Sequence, residues 1–198
     1  MKFVLATQNP QKLKEMSAIL GELGVEVVSE ADIGVKIEVE ETGETFAENS
    51  LLKAKAVMEA TKLPAIADDS GLCVDALNGG PGVYSARFGG EGLDDTGRYR
   101  LLLQMLHGQA DRRAHFHTTI TCAFPNGDVL QDDGEVEGTI AFAPMGENGF
   151  GYDPVFFVPD KRKTFAQLTA EEKAEISHRG KALRAFKETL KNYLAEHQ

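Results

Sequence analysis

Apolar positions along the 198-residue chain change their spacing several times, and each change marks an element. Phe3, Val4, Leu5 and Ala6 form a continuous apolar run of the kind found in a buried strand. A polar turn follows, after which Leu13, Met16, Leu20 and Leu23 recur at helical spacing. Asn9 suits the N-cap ahead of them, and Pro10 suits the first helical position, where its missing N–H costs nothing. Gly24 closes that helix, and residues 25–28 read as the next strand. Thr45 and Glu48 form a capping box for a second helix reaching Lys62, with Pro64 beyond its end. Residues 65–67 predict a compact strand ended by Asp68, Asp69, Ser70 and Gly71, and residues 72–74 a further one. Residues 99–106 fit a helix. From Arg113 the period becomes two: Ala114, Phe116, Thr118, Ile120, Cys122 and Phe124 alternate with more polar neighbours, as in a half-buried strand. Asn126-Gly127 marks a hairpin turn, residues 129–142 a second long strand region and residues 154–158 another strand. Thr169 and Glu172 cap a helical region interrupted near Ser177, and Leu183, Phe186, Leu190 and Leu194 stripe the last helix. The pattern predicts an α/β fold. It is expected as a long mixed β-sheet flanked by helices and bent into two lobes with a cleft between them, all within a single domain over residues 1–198.

Composition narrows the function classes. Apolar residues make up 42% and charged residues 26%, the proportions of an ordinary globular chain and not of a disordered one. Lys and Arg number 21 against 31 Asp and Glu, a formal net charge of −10. Non-specific nucleic-acid binding needs clustered cations, so nucleic acid is not an expected partner. Phosphates, if handled, must be met locally by a few placed cations and a divalent metal. Two cysteines, Cys73 and Cys122, make no disulfide framework and lie in apolar runs, as buried small side chains do. The apolar run at the N-terminus is shorter than the 7–15 residues, roughly, of a signal-peptide core or the ~20 of a membrane helix. A soluble, cytoplasmic protein without a membrane partner is expected.

Several chemistries are excluded by their missing motifs. No G-x-x-x-x-G-K-[ST] loop occurs, and Gly146, Gly149 and Gly151 neither match G-x-G-x-x-G nor open a helix. His115 and His117 share one strand face but read as a satisfied, half-exposed pair, with no nearby Cys or carboxylate ligand. Four segments carry more. Thr7-Gln8-Asn9-Pro10-Gln11-Lys12 joins a strand to a helix N-terminus, where backbone N–H groups and the helix dipole favour an anion. Taken alone, it reads equally as a capped turn. Asp68 and Asp69 end an apolar run, and adjacent carboxylates repel unless a cation or proton sits between them. Glu38, Glu40 and Glu41 are ordinarily a solvated face, and gain weight as a second source of metal oxygens, since Mg²⁺ takes one or two carboxylates plus substrate phosphates. Phe150-Gly151-Tyr152-Asp153-Pro154 and Ser177-His178-Arg179 combine stacking rings with directional donors, the means of gripping a purine.

Together these segments resemble the inosine triphosphate pyrophosphatase family, in particular its bacterial dITP/XTP pyrophosphatase branch. The family's T-x-N-x-x-K stands here as Thr7, Asn9 and Lys12, and its acidic segment as Glu40, Glu41, Thr42 and Gly43 followed by Thr45, Phe46, Glu48, Asn49 and Lys53. A-D-D-S-G-L spans residues 67–72 and P-G-x-Y-S-A-R residues 81–87. F-G-Y-D-P and S-H-R-G complete the set at residues 150–154 and 177–180. Gln8 departs from the small residue often found there. The resemblance covers essentially the whole chain. It implies a homodimer with a two-lobed fold, and Mg²⁺-dependent hydrolysis of deaminated purine nucleoside triphosphates (ITP, dITP, XTP) to the monophosphate and pyrophosphate, cleansing the nucleotide pool.

It also implies roles. Glu40 and Asp69 hold the metal, and Asp69 activates water; the choice of Asp69 over Asp68 follows the family pattern. Thr7, Gln8, Asn9, Pro10, Gln11, Lys12, Lys53, Ser70 and Lys173 meet the phosphate side of the substrate. Phe150, Gly151, Tyr152, Asp153, His178 and Arg179 meet the base, whose position-6 carbonyl accepts where adenine's amino group leaves the donors mispaired, a distinction worth about 10⁴–10⁵. Two other readings stand beside this one: a related pyrophosphatase with a different base preference, and a nucleotide-binding regulator without catalysis.

Overall fold

A computed structural model of the chain describes residues 1–197. Strand β1 (Lys2–Leu5) leads into helix α1 (Pro10–Gly21) and strand β2 (Glu26–Ser29). Helix α2 (Phe46–Thr61) precedes the ten-residue strand β3 (Ala65–Val74). Helix α3 (Asp95–Met105) is followed by the long strands β4 (Arg113–Ala123) and β5 (Val129–Ile140). The short strands β6 (Phe156–Val158) and β7 (Lys163–Thr164) come before helices α4 (Ala170–Ile176) and α5 (His178–Glu196). All seven strands form one sheet in the order β2-β1-β3-β4-β5-β6-β7. It is mixed: β1 runs parallel to β2 and β3, whereas β6 runs antiparallel to β5 and β7.

The chain divides into two compact units. One comprises Met1–Asp69, Thr118–Gly134 and the chain from Ala182 on; the other comprises Ser70–His117 and Glu135–Lys181. In the first, Phe3 and Leu5 of β1 pack with Met16 and Leu20 of α1 and with Phe186 and Leu190 of α5, all buried. Each fully buried phenylalanine contributes about 1.5–3 kcal/mol relative to an exposed one. The predicted stripe on α5 is the face that supplies this core. In the second unit Phe116 lies 4.6 Å from Phe156 and stacks on Phe165 at 5.6 Å, with Leu72, Val74 and Leu102 buried around them.

Several predicted boundaries move. Residues 65–74 are one continuous strand, not two strands around a polar break. Asp68 and Asp69 stay inside the sheet because the Asp68 carboxylate and both backbone carbonyls find partners on neighbouring elements, so the chain need not turn outward. Helix α3 starts four residues earlier than its apolar spacing suggests, because the Asp94 side chain caps it by accepting from Gly97 N–H at 2.7 Å. Residues 153–155 form a 3₁₀ turn, so β6 begins only at Phe156, and β5 stops at Ile140. Thr45 caps α2 as expected, but the Glu48 carboxylate accepts from Glu44 N–H and completes no box with Thr45. Both cysteines are buried and free. Among the described residues no helix is long and apolar enough to cross a membrane.

Candidate functional site

The first group of functional side chains grows from the carboxyl end of β1 and the middle of its parallel neighbour β3. Val4 and Leu5 of β1 pair with Ala65 and Ile66 of β3, and Ala6 N–H donates to Ile66 C=O at 2.8 Å. Thr7 therefore leaves the sheet beside Ala67 and Asp68, at the place where parallel α/β sheets commonly bind ligands. The turn that follows is fixed by its own polar groups. Thr7 Oγ1 accepts from Asn9 N–H at 3.2 Å, and Asn9 Oδ1 accepts from Gln11 and Lys12 N–H at 2.9 and 3.3 Å. Gln8 and Pro10 are exposed, and Gln11 bonds Glu15 one turn on.

Lys12 emerges from the first turn of α1 and reaches Asp68, its ammonium 2.6 Å from Oδ2. Lys53 on α2 donates to the backbone carbonyl of the same Asp68 at 2.6 Å and pairs with Glu41 at 3.1 Å. Asp69, next in β3, is 7% exposed, and Thr118 Oγ1 donates to its carbonyl at 3.1 Å. Burial pushes the Asp69 carboxyl up from 3.8 to about 6. The Lys53 charge opposes that rise and Glu41 adds to it; the Asn49 amide lowers it again, and Asp68 raises it. Asn49 is itself fully buried, its Oδ1 accepting from Gly43 N–H at 2.7 Å, which ties the acidic segment to α2. A cavity of about 250 Å³ opens beside Thr7, Gln8, Glu30, Glu41 and Lys53.

The second group lies in the other unit, around the turn at residues 149–153. Asp153 is buried, and its Oδ2 accepts from Phe150 N–H at 3.1 Å and from Lys173 Nζ at 2.6 Å. Burial raises the Asp153 carboxyl, and the Lys173 charge and hydrogen bond, Phe150 N–H and Arg179 oppose it. Lys173 also stands 4.9 Å over the Phe150 ring, which is 46% exposed. The Gly151 N–H donates to Asp95 Oδ2 at 2.9 Å, and Tyr152 Oη donates to Ser85 C=O at 2.7 Å. Gly149 has a positive φ of 75°, and a Cβ there would lie 2.0 Å from Asp153 Oδ2, so only glycine fits. Ser177 separates α4 from α5 and accepts from Gly180 N–H at 3.0 Å, which sets His178 and Arg179 at the start of α5. The His178 ring stacks on Phe116 at 4.8 Å.

The family model that matches this chain is that of the Ham1 family, over residues 3–189. The chain belongs to the Ham1 family. Its relatives include the dITP/XTP pyrophosphatase of Thermus thermophilus, 51% identical over 97% of this chain and 93% of that protein. The dITP/XTP pyrophosphatase of Bacillus subtilis is 48% identical over 94% and 96% of the two chains. The structure of the Ham1 protein of Staphylococcus aureus superposes with a TM-score of 0.92 at 41% identity, over 98% of this chain and all of that one. The α/β fold read from the hydrophobic pattern is the Ham1 fold.

Within this Ham1 chain the expected residues fall into the two groups just described, apart from Glu40, which no hydrogen bond or ion pair among the described residues ties to either. Ser70 follows Asp69 in β3, part exposed, and Lys173, expected beside the phosphates, stands in the second group on Asp153. Among the described residues no three His, Cys, Asp or Glu side chains come together as a metal cage. The donor set that remains is all oxygen: Asp69, crowded by Glu41 and Asp68, and Glu40, exposed on the acidic segment. Carboxylate oxygen is the donor type a hard divalent cation takes, one or two at a time, with phosphate oxygens completing its shell. His115 and His117 do have a nearby carboxylate, contrary to the sequence reading, because β5 brings Glu135 within 3.7 and 3.5 Å of them. Glu41 is named in the sequence only as one of an acidic stretch, and Asp95 is not singled out there. Glu41 is distinguished from Glu40 only by the path of an irregular segment, and Asp95 lies 56 residues from Gly151.

Proposed function

We propose that this Ham1 protein hydrolyses deaminated purine nucleoside triphosphates (ITP, dITP and XTP) to the monophosphate and pyrophosphate, and so removes them from the cytoplasmic nucleotide pool. The observation that carries the reading is the buried Asp69 carboxyl, held at about 6 beside Lys53, on the strand whose preceding residue binds Lys12 and Lys53 together. A carboxyl titrating there is a base at neutral pH and sits with the cations that a polyphosphate requires. The names of the Thermus and Bacillus relatives support the substrate class.

In this reading the residues at 7–12 and Lys53 hold the outer phosphates as a unit. Asp69 accepts a proton from a water whose oxygen bonds to the α-phosphorus as the α–β bridging bond breaks, and the electron pair leaves on pyrophosphate. Asp69 and Glu40 are the residues that would hold Mg²⁺, which when bound neutralises charge on the phosphates and the leaving group. The base end belongs to Phe150, whose exposed ring offers a stacking face, and to His178 and Arg179, whose donors meet a position-6 carbonyl. Lys173 and Asp153 order that turn. Ser70 meets the substrate beside Asp69, and the active form is a homodimer. The test is a panel of nucleoside triphosphates assayed with Mg²⁺. ITP, dITP and XTP are expected to exceed ATP in kcat/KM by at least about 10², while guanine, which shares the position-6 carbonyl, is not separated by these donors. Equal turnover of ATP, or a preference for a pyrimidine, would overturn the base assignment, and tight ITP binding without product would replace the enzyme with a sensor.

A further inference from the structure

We propose that Asp68 is a positioning residue that sets Lys12 and Lys53 for one pyrophosphate group; this rests on the reading just given. One buried residue holds both ammonium groups. The Asp68 side chain, on a residue 3% exposed, accepts from Lys12 Nζ at 2.6 Å, and its backbone carbonyl accepts from Lys53 Nζ at 2.6 Å. The two lysines come from different helices, α1 and α2, and their spacing is therefore set by a single point of the sheet. Each lysine has four flexible bonds, and an ammonium held in place loses less freedom when a phosphate arrives than one that must be captured from solution. The strand itself is fixed at this point by Thr118 on the carbonyl of the next residue. Glu41 tethers Lys53 from the other side at 3.1 Å.

A purely electrostatic role for Asp68 has the opposite sign. A carboxylate beside two lysines repels an incoming anion, so its removal would strengthen phosphate binding. A positioning role makes its removal weaken binding, even though the net local charge becomes more positive. The experiment measures the affinity of the wild-type protein, Asp68→Ala, Asp68→Asn, Lys12→Ala and the Lys12→Ala/Asp68→Asn pair for pyrophosphate and, separately, for IMP, by calorimetry in the presence of Mg²⁺. Asp68→Ala is expected to weaken pyrophosphate about tenfold and leave IMP within about twofold. Asp68→Asn preserves the shape and an acceptor oxygen, keeps the fold, and is expected to weaken pyrophosphate by less than the alanine variant. In the Lys12→Ala background the asparagine change should add nothing further, because the two residues act through one contact. Unchanged or tighter pyrophosphate binding in Asp68→Asn, or an equal loss for pyrophosphate and IMP, would overturn the proposal while leaving the enzyme assignment standing. A wild-type protein that binds neither product would overturn both.

Discussion

A carboxyl group 7% exposed, with two further carboxylates acting on it, keeps its proton to higher pH than it would in water, and Asp69 does so to about pH 6. Replacing it by asparagine is expected to lower kcat by about 10²–10⁴ while nucleotide still binds, because the proton acceptor is lost and the shape is not. Near-normal kcat at saturating Mg²⁺ would remove Asp69 from the chemistry. The same substitution has a second readout. Between the ordinary 3.8 and about 6 the folded protein binds a proton that the unfolded chain has released, so stability falls as pH rises through that window and stays lower above it. The cost of keeping Asp69 ionised in the fold is on the order of 3 kcal/mol at pH 8. Asp69→Asn is therefore expected to unfold at a higher temperature than the wild type at pH 8 and to lose that advantage near pH 4, when both are measured without Mg²⁺. An equal midpoint at pH 8 would contradict the burial assigned to this group. At the base end, Arg179→Ala should compress the ITP-to-ATP ratio of kcat/KM by about tenfold, since a charged donor to the carbonyl is gone; an unchanged ratio would place base reading elsewhere.

At the scale of elements, the site depends on short irregular segments held by side-chain acceptors. The turn at residues 149–153 is one: Asp153 takes Phe150 N–H and Lys173, Asp95 takes Gly151 N–H, and Gly149 leaves the room. Gly149→Ala would drive a methyl group into Asp153 Oδ2 and demand a strained backbone. Its expected signature is a KM for ITP raised about tenfold with a smaller change in kcat. A wild-type KM would show that the turn plays no part in binding. The helices and long strands behind these segments were legible in the sequence because their signals are local. Asn9-Pro10 starts α1, Pro64 stands just beyond α2, the period of two runs through β4, and Thr169 with Glu172 caps α4. The unbroken course of β3 was not legible. Asp68 and Asp69 look like the end of a strand until Lys12 and Lys53, 56 and 15 residues from Asp68 in sequence, are brought to them. The same holds for Asp95 on Gly151, which comes from an element that no local pattern connects to it.

For the molecule as a whole, a formal charge of −10 makes the placement of a few cations decisive. The chain does not attract polyphosphate generally; Lys12 and Lys53 concentrate positive charge on Asp68, within β3 and next to Asp69, the proposed base. Under the proposed function, this placement of cations favours cleavage on the nucleoside side of the outer two phosphates, with pyrophosphate stabilised as the leaving group. A phosphatase would instead act on the terminal phosphate and produce the diphosphate. The most direct measurement is product identification from ITP and Mg²⁺, by chromatography of the nucleotides and separate assays of pyrophosphate and orthophosphate, with a chelated control. The account predicts IMP and pyrophosphate in equal amounts, negligible IDP or orthophosphate, and no reaction after chelation. IDP accumulating with an equal amount of orthophosphate would contradict both the bond assigned to the enzyme and the roles assigned to Lys12 and Lys53.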